Sequence, residues 1–170
     1  MPESSLSIHR RAFTLIELVV VLAILGMLTA LASLSLSGVM DRYQLGCAAE
    51  AIESWDGRNR RDARRSRETI EAMIRPEKNE FQILEAPLAS NSGRTMTSMP
   101  GKVEIVGVKM KRGGVSGRDT PIRFNKQGRS PNYAIELKRG NMRRWLIILG
   151  FSGQVITVDR GEDVDALLSR

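Results

Sequence analysis

Residues 18–40 carry no charged side chain, and that run of 23 sets the terms for the rest of the chain. About 20 consecutive apolar residues suffice for a helix to cross a bilayer. The wider apolar stretch 13–40 reads FTLIELVVVLAILGMLTALASLSLSGVM, with Glu17 as its one charge, and the basic pair Arg10-Arg11 stands just before it. Basic residues on that flank predict that the N-terminus stays in the cytoplasm and the bulk of the chain lies across the membrane. Two plain readings compete: a signal anchor, or a secretory signal peptide cut after Ala30-Leu31-Ala32. Glu17 argues against the second, since a carboxylate at the threshold of the apolar core gives a signal peptide nothing. At a helix centre it would cost about 2.5–3.5 kcal/mol, though so near the helix end it could snorkel to the headgroups.

The rest of the 170 residues is strongly charged. Lys and Arg number 26 against 19 Asp and Glu, a net charge of +7, and almost all of them follow position 40. The mean hydropathy of −0.20 averages two unlike regions. One histidine, His9, and one cysteine, Cys47, exclude several chemistries. A Ser-His-Asp or Cys-His mechanism needs an imidazole beside its nucleophile, and a structural zinc needs about four Cys or His ligands. An intramolecular disulfide needs a second cysteine, and neither a Gly-x-Gly-x-x-Gly fingerprint nor a phosphate loop occurs. No catalytic residue, cofactor or metal is expected, and the chain does not read as an enzyme.

Arg10-Arg11-Ala12-Phe13-Thr14-Leu15-Ile16-Glu17-Leu18, followed by VVVLAILGMLTALA, resembles the class III signal of type IV pilins and type II secretion pseudopilins. The resemblance implies a membrane prepilin peptidase that cuts on the cytoplasmic side between Ala12 and Phe13 and N-methylates Phe13. Residues 1–12 would be a cleaved leader, and Glu17 would become the fifth residue of the mature protein. Ala12 stands where the family usually has glycine, so slower processing is expected. The family's proline within the apolar segment is absent too: none occurs between Phe13 and Arg75, leaving Gly26, Gly38 or Ser33, Ser35 and Ser37 to make any bend. A carboxylate among packed helices needs a partner. The resemblance implies one, the new amine of Phe13 on a neighbouring subunit, so that processing would license assembly. Other pilins or pseudopilins, an inner-membrane assembly platform and the lipid itself are the implied partners. The implied location is the inner membrane, single-pass, with a periplasmic head.

Beyond Met40 the helix pattern continues and becomes amphipathic, with Leu45, Ala48, Ile52 and Trp55 on one face. This predicts one helix over 13 to about 67, about 80 Å long at 1.5 Å per residue. Its part 13–40 would lie in membrane or filament core, and a head would fill 41–170. Cys47 on this helix reads as a small buried hydrophobe. Arg58, Arg60, Arg61, Arg64, Arg65 and Arg67 crowd the helix end. They read as a solvated face favoured by the helix dipole, as a contact for an acidic surface of a neighbouring subunit, or as a DNA-backbone contact with steep salt dependence. Some minor pilins bind DNA, so the resemblance leaves that last reading open.

From 69 to 159 the period changes to alternation. Residues 69–75, 76–79 and 80–84 read as a β-hairpin, 87–101 as a loop, 102–110 as a strand and 111–119 as a second loop. Strands are expected at 121–125, 133–138, 144–149 and 154–159, with Trp145-Leu146-Ile147-Ile148-Leu149, apolar on both faces, central in the sheet. Residues 160–170 read as a polar, acidic tail or a short terminal helix. Asp159, Glu162, Asp163 and Asp165 lack a calcium-ligand order. The expected fold is α+β and pilin-like, a long helix packed on an antiparallel sheet of about six strands. With IRFNKQGRS before one strand and GFSGQVITV near the end, it is similar to the GspH/FimT branch of minor pseudopilins and minor pilins.

Overall fold

The structure, a computed structural model, describes residues 14–85, 96–111 and 113–169, excepting the side chains of 31–37, 85 and 96. Arg10, Arg11, Ala12 and Phe13, and most of the loop expected at 87–101, lie outside the described residues. The chain separates into two compact units, Met1–Val39 and Met40–Arg170.

Helix α1 runs over Leu15–Ser66, 52 residues. Thr14 caps it: its Oγ1 accepts the Glu17 amide at 3.3 Å, and Glu17 sits in the first turn, where the helix dipole favours an anion. In the first unit the described apolar side chains are exposed. Leu15, Ile16, Leu18, Leu22, Leu25 and Met27 are all at least half exposed, the mark of a surface that other molecules cover. Among the described residues no helix is long and apolar enough to cross a membrane. The uncharged run 18–40 of the sequence includes 31–37, whose side chains are outside those described.

In the second unit the apolar stripe of α1 is buried as its spacing predicts: Leu45, Ala48, Ile52 and Trp55, extended by Ala63. Cys47 flanks that stripe and is half-buried rather than buried. The helix stops at Ser66, and Arg67 takes a left-handed φ of 57°, the conformation that commonly ends a helix. A hairpin follows, β1 (Ile70–Arg75) and β2 (Glu80–Glu85) joined by the 3-10 turn Pro76–Lys78. Ile70, Ala72 and Ile74 alternate inward along β1.

The remaining strands are β3 (Met96–Ser98), β4 (Glu104–Met110), β5 (Val115–Ser116), β6 (Thr120–Phe124), β7 (Tyr133–Arg139), β8 (Met142–Ile148) and β9 (Val155–Val158). They form two antiparallel sheets, ordered β3-β2-β1-β6 and β5-β4-β7-β8-β9, instead of one sheet of about six strands. Two things hide this in the sequence. β3 and β5 have only three and two residues, within stretches whose Ser, Thr and Gly content reads as loop. The pairings of β1 with β6 and of β4 with β7 also join strands that are not neighbours along the chain. One core lies between them, with side chains from α1, both sheets, Met99 and Val103.

β8 is buried on both faces from Trp145 to Ile148, flanked by β7 and β9. Leu146 and Ile148 enter the main core. Trp145 and Ile147 enter a second cluster with Ala134, Val164 and Leu168. Val164 and Leu168 belong to helix α2 (Glu162–Leu168), so the C-terminal segment is a packed helix, not a solvated tail. Lys109 Nζ reaches Asp165 at 2.6 Å, and Arg144 reaches Asp159 at 3.3 Å. Two of the four tail acids are thus held by basic side chains of the sheet.

Candidate functional site

Of the N-terminal motif, Glu17 is described, exposed in the first turn of α1 behind the Thr14 cap. Ala12 and Phe13, the expected cleavage and methylation positions, lie outside the described residues. The second region to carry expected site residues is the end of α1, and there the six arginines separate into two groups. Arg58, Arg61, Arg64, Arg65 and Arg67 are exposed. Arg60 is 4 % exposed and fully engaged inside the protein, which removes it from any polyanion contact.

Arg60 is the centre of a buried polar cluster. Its Nε and Nη2 donate to Asp56, one helical turn earlier. Nη1 donates to the carbonyls of Gly128 at 3.0 Å and Gly150 at 2.7 Å, and Nη2 donates to Ser130 Oγ at 2.8 Å. Its guanidinium lies 5.5 Å from the centroid of the Phe124 ring. The Tyr133 hydroxyl donates to Asp56 Oδ1 at 2.7 Å. Burial, chiefly, pushes the Tyr133 hydroxyl well above its usual value; the Asp56 charge and hydrogen bond add to this and Arg60 opposes it. A buried ion pair is tolerable only when its remaining donors and acceptors are met, as they are here.

The turns around Arg60 are shaped to reach it. In the β6–β7 connection, Asn125 Oδ1 accepts the amides of Gln127 and Arg129, and its carbonyl accepts that of Gly128. Gly128 has φ +71°, and a Cβ there would lie 2.7 Å from the Arg60 carbonyl. In the β8–β9 connection, the Gly150 amide donates to Asn132 Oδ1, and a Cβ at Gly150 would fall 1.8 Å from the Ser130 carbonyl. Glycine is required where backbones approach this closely. The two glycine-containing segments singled out in the sequence are therefore the two jaws that close on Arg60. Asp56, Ser130 and Tyr133 were not singled out. The available signal was the spacing of Asp56 four residues before Arg60, the geometry of a helical ion pair.

Next to this anchor, Arg129 lies with its guanidinium 4.2 Å from the centroid of Phe151, a ring that is 73 % exposed. The aliphatic stem of Arg64 borders the same turn, 3.0 Å from a Cβ built at Gly128. None of this assembles a nucleophile, a base or a metal ligand set; it builds an exposed basic surface with one aromatic.

Comparison with known proteins adds two findings. Residues 8–33 match the model of the prokaryotic N-terminal methylation motif. By sequence, no curated protein matches the chain. Among solved structures, the fold is similar to that of the minor pseudopilin EpsH from the type 2 secretion system of Vibrio cholerae. That match has a TM-score of 0.52 and 10% identity, over 69% of this chain and 97% of that one. The type IV minor pilin FimU of Pseudomonas aeruginosa also matches, with a TM-score of 0.48 and 15% identity over 69% and 90%. At such identities the likeness to EpsH is one of fold, a long N-terminal helix carrying antiparallel sheets. The chain thus joins a prepilin methylation motif at its start to a head with a pilin-like fold.

Proposed function

We propose that the chain is a non-enzymatic minor pseudopilin subunit of a type II secretion pseudopilus, sited at or near the tip. The observation that carries this reading is the methylation motif over 8–33 on a chain with a minor-pseudopilin fold. In this reading a prepilin peptidase cuts between Ala12 and Phe13 and methylates Phe13, and the assembly platform lifts the subunit from the inner membrane. The subunit would span that membrane once, with its N-terminus cytoplasmic and its head periplasmic. The exposed apolar face of α1 would then be covered first by lipid and later by equivalent helices, by van der Waals packing. Glu17 would pair with the Phe13 amine of a neighbour and set the register.

The test is the N-terminus of the native protein, read by mass spectrometry of a membrane fraction. A chain starting at N-methylated Phe13 is expected; one starting at Ser33 or at the intact leader would overturn the reading. Glu17→Leu should abolish incorporation while leaving cleavage intact, and normal incorporation would remove the role given to Glu17. Deletion of the gene should impair protein export and spare surface pili, which separates a secretion machine from a pilus.

A further inference from the structure

The basic surface at the end of α1 has no part in the assembly described above. Arg60 fastens the carbonyls of Gly128 and Gly150 from inside the protein. The residues that follow them, Arg129 and Phe151, are therefore positioned by a buried anchor. They form a plate, the guanidinium stacked 4.2 Å from the ring centroid. Arg64 lies against the same turn, and Arg61 is three residues before it on the same exposed stripe of α1. Arg61, Arg64 and Arg129 have no carboxylate partner among the described residues. The ring, 73 % exposed, is an apolar anchor beside Arg129.

We propose that Arg61, Arg64, Arg129 and Phe151 form a docking site for an acidic segment of the neighbouring subunit, a proposal that rests on the subunit reading above. Charge complementarity identifies the occupant. A guanidinium seated over an exposed ring can offer its N–H donors to a carboxylate in a bidentate pair. The ring contact restricts Arg129 before the partner arrives, which lowers the side-chain entropy lost on binding. An apolar residue beside that carboxylate would pack on Phe151, the pairing of arginine and aromatic anchor found at interface hot spots. A single-stranded nucleic acid would need ring faces free for stacking. Here Arg129 occupies a face of Phe151, and the other exposed ring among the described residues, Tyr43, lies six helical turns back along α1.

The fragment 40–170 suits the test, because both core clusters draw all their residues from position 45 onward and so fold with it. A short fluorescein-labelled peptide of Glu and Leu, and labelled oligothymidylate of similar charge, would be titrated by anisotropy at low salt. The peptide is expected to bind, and Arg129→Ala, Arg129→Lys and Phe151→Ala should each weaken it at least about fivefold. Arg123→Ala, which removes an exposed cation paired with Glu71 on the β1–β6 sheet, should not. Absence of peptide binding would overturn the proposal, as would equal losses in all four variants, or tighter oligothymidylate binding with the same sensitivities. In cells, the full chain carrying Phe151→benzoylphenylalanine should crosslink to a second pilin-like subunit; a crosslink to any other protein overturns the choice of partner. The peptide titration is independent of Phe13 methylation, so failure here and failure of the subunit reading are separable.

Discussion

A guanidinium taken out of water must find partners for all its donors, and Arg60 finds them on α1 and on two turns of the sheets. Arg60→Ala should therefore destabilise the head by about 3–5 kcal/mol, since it leaves Asp56 buried without its counter-charge. Urea unfolding of the fragment 40–170 would measure this. Tyr133 gives a pH signature. Its hydroxyl is raised in the folded state, so the contribution of its bond to Asp56 is complete below the unfolded value of about 10 and is lost as pH rises above it. Wild type should be more stable than Tyr133→Phe by about 1.5–3 kcal/mol at neutral pH. That margin should shrink above about pH 10, and a margin constant to pH 11 would contradict the assignment. In the sequence, Arg60 is one of six similar arginines. Composition places all six on the surface, and only the contacts made by residues far along the chain set one of them apart. Glu17 is the opposite case. Its place in the motif is plain from the sequence, while its local role behind the Thr14 cap needs the backbone to be seen.

At the scale of elements, periodicity is a good guide where an element is long and has one apolar face. The stripe Leu45, Ala48, Ile52, Trp55 and the hairpin of β1 and β2 were legible for that reason. The doubly apolar β8 was legible as an inner strand, and what covers its outer side was not. α2 is seven residues long, too short for two buried positions, Val164 and Leu168, to show a period among Glu162, Asp163 and Asp165. Its packing on Trp145 is testable. Leu168→Ala should cost about 2–5 kcal/mol and shift Trp145 emission to longer wavelength in a Trp55→Phe background. A tail that is merely solvated would show neither change. The division into two sheets rests on pairings across long loops, and alternation within a strand carries no record of which strand lies beside it.

On the scale of the whole molecule, the two units differ in where their apolar surface goes. The head buries most of its described apolar side chains in two clusters of its own, whereas the described apolar residues of the first unit are exposed. The fragment 40–170 is accordingly expected to unfold in one cooperative transition and to remain monomeric without detergent. The full chain is expected to need detergent or lipid, and sedimentation of both with and without detergent would check it. The polar cluster at Arg60 also imposes an order of events on a chain that emerges N-terminus first. The partners of the helix lie 68, 77 and 90 residues downstream of it, and contacts of such separation close late. Until Gly150 is out, the helix holds a charge that nothing has yet enclosed, and the head cannot complete its packing. The last jaw to arrive is the one that locks it.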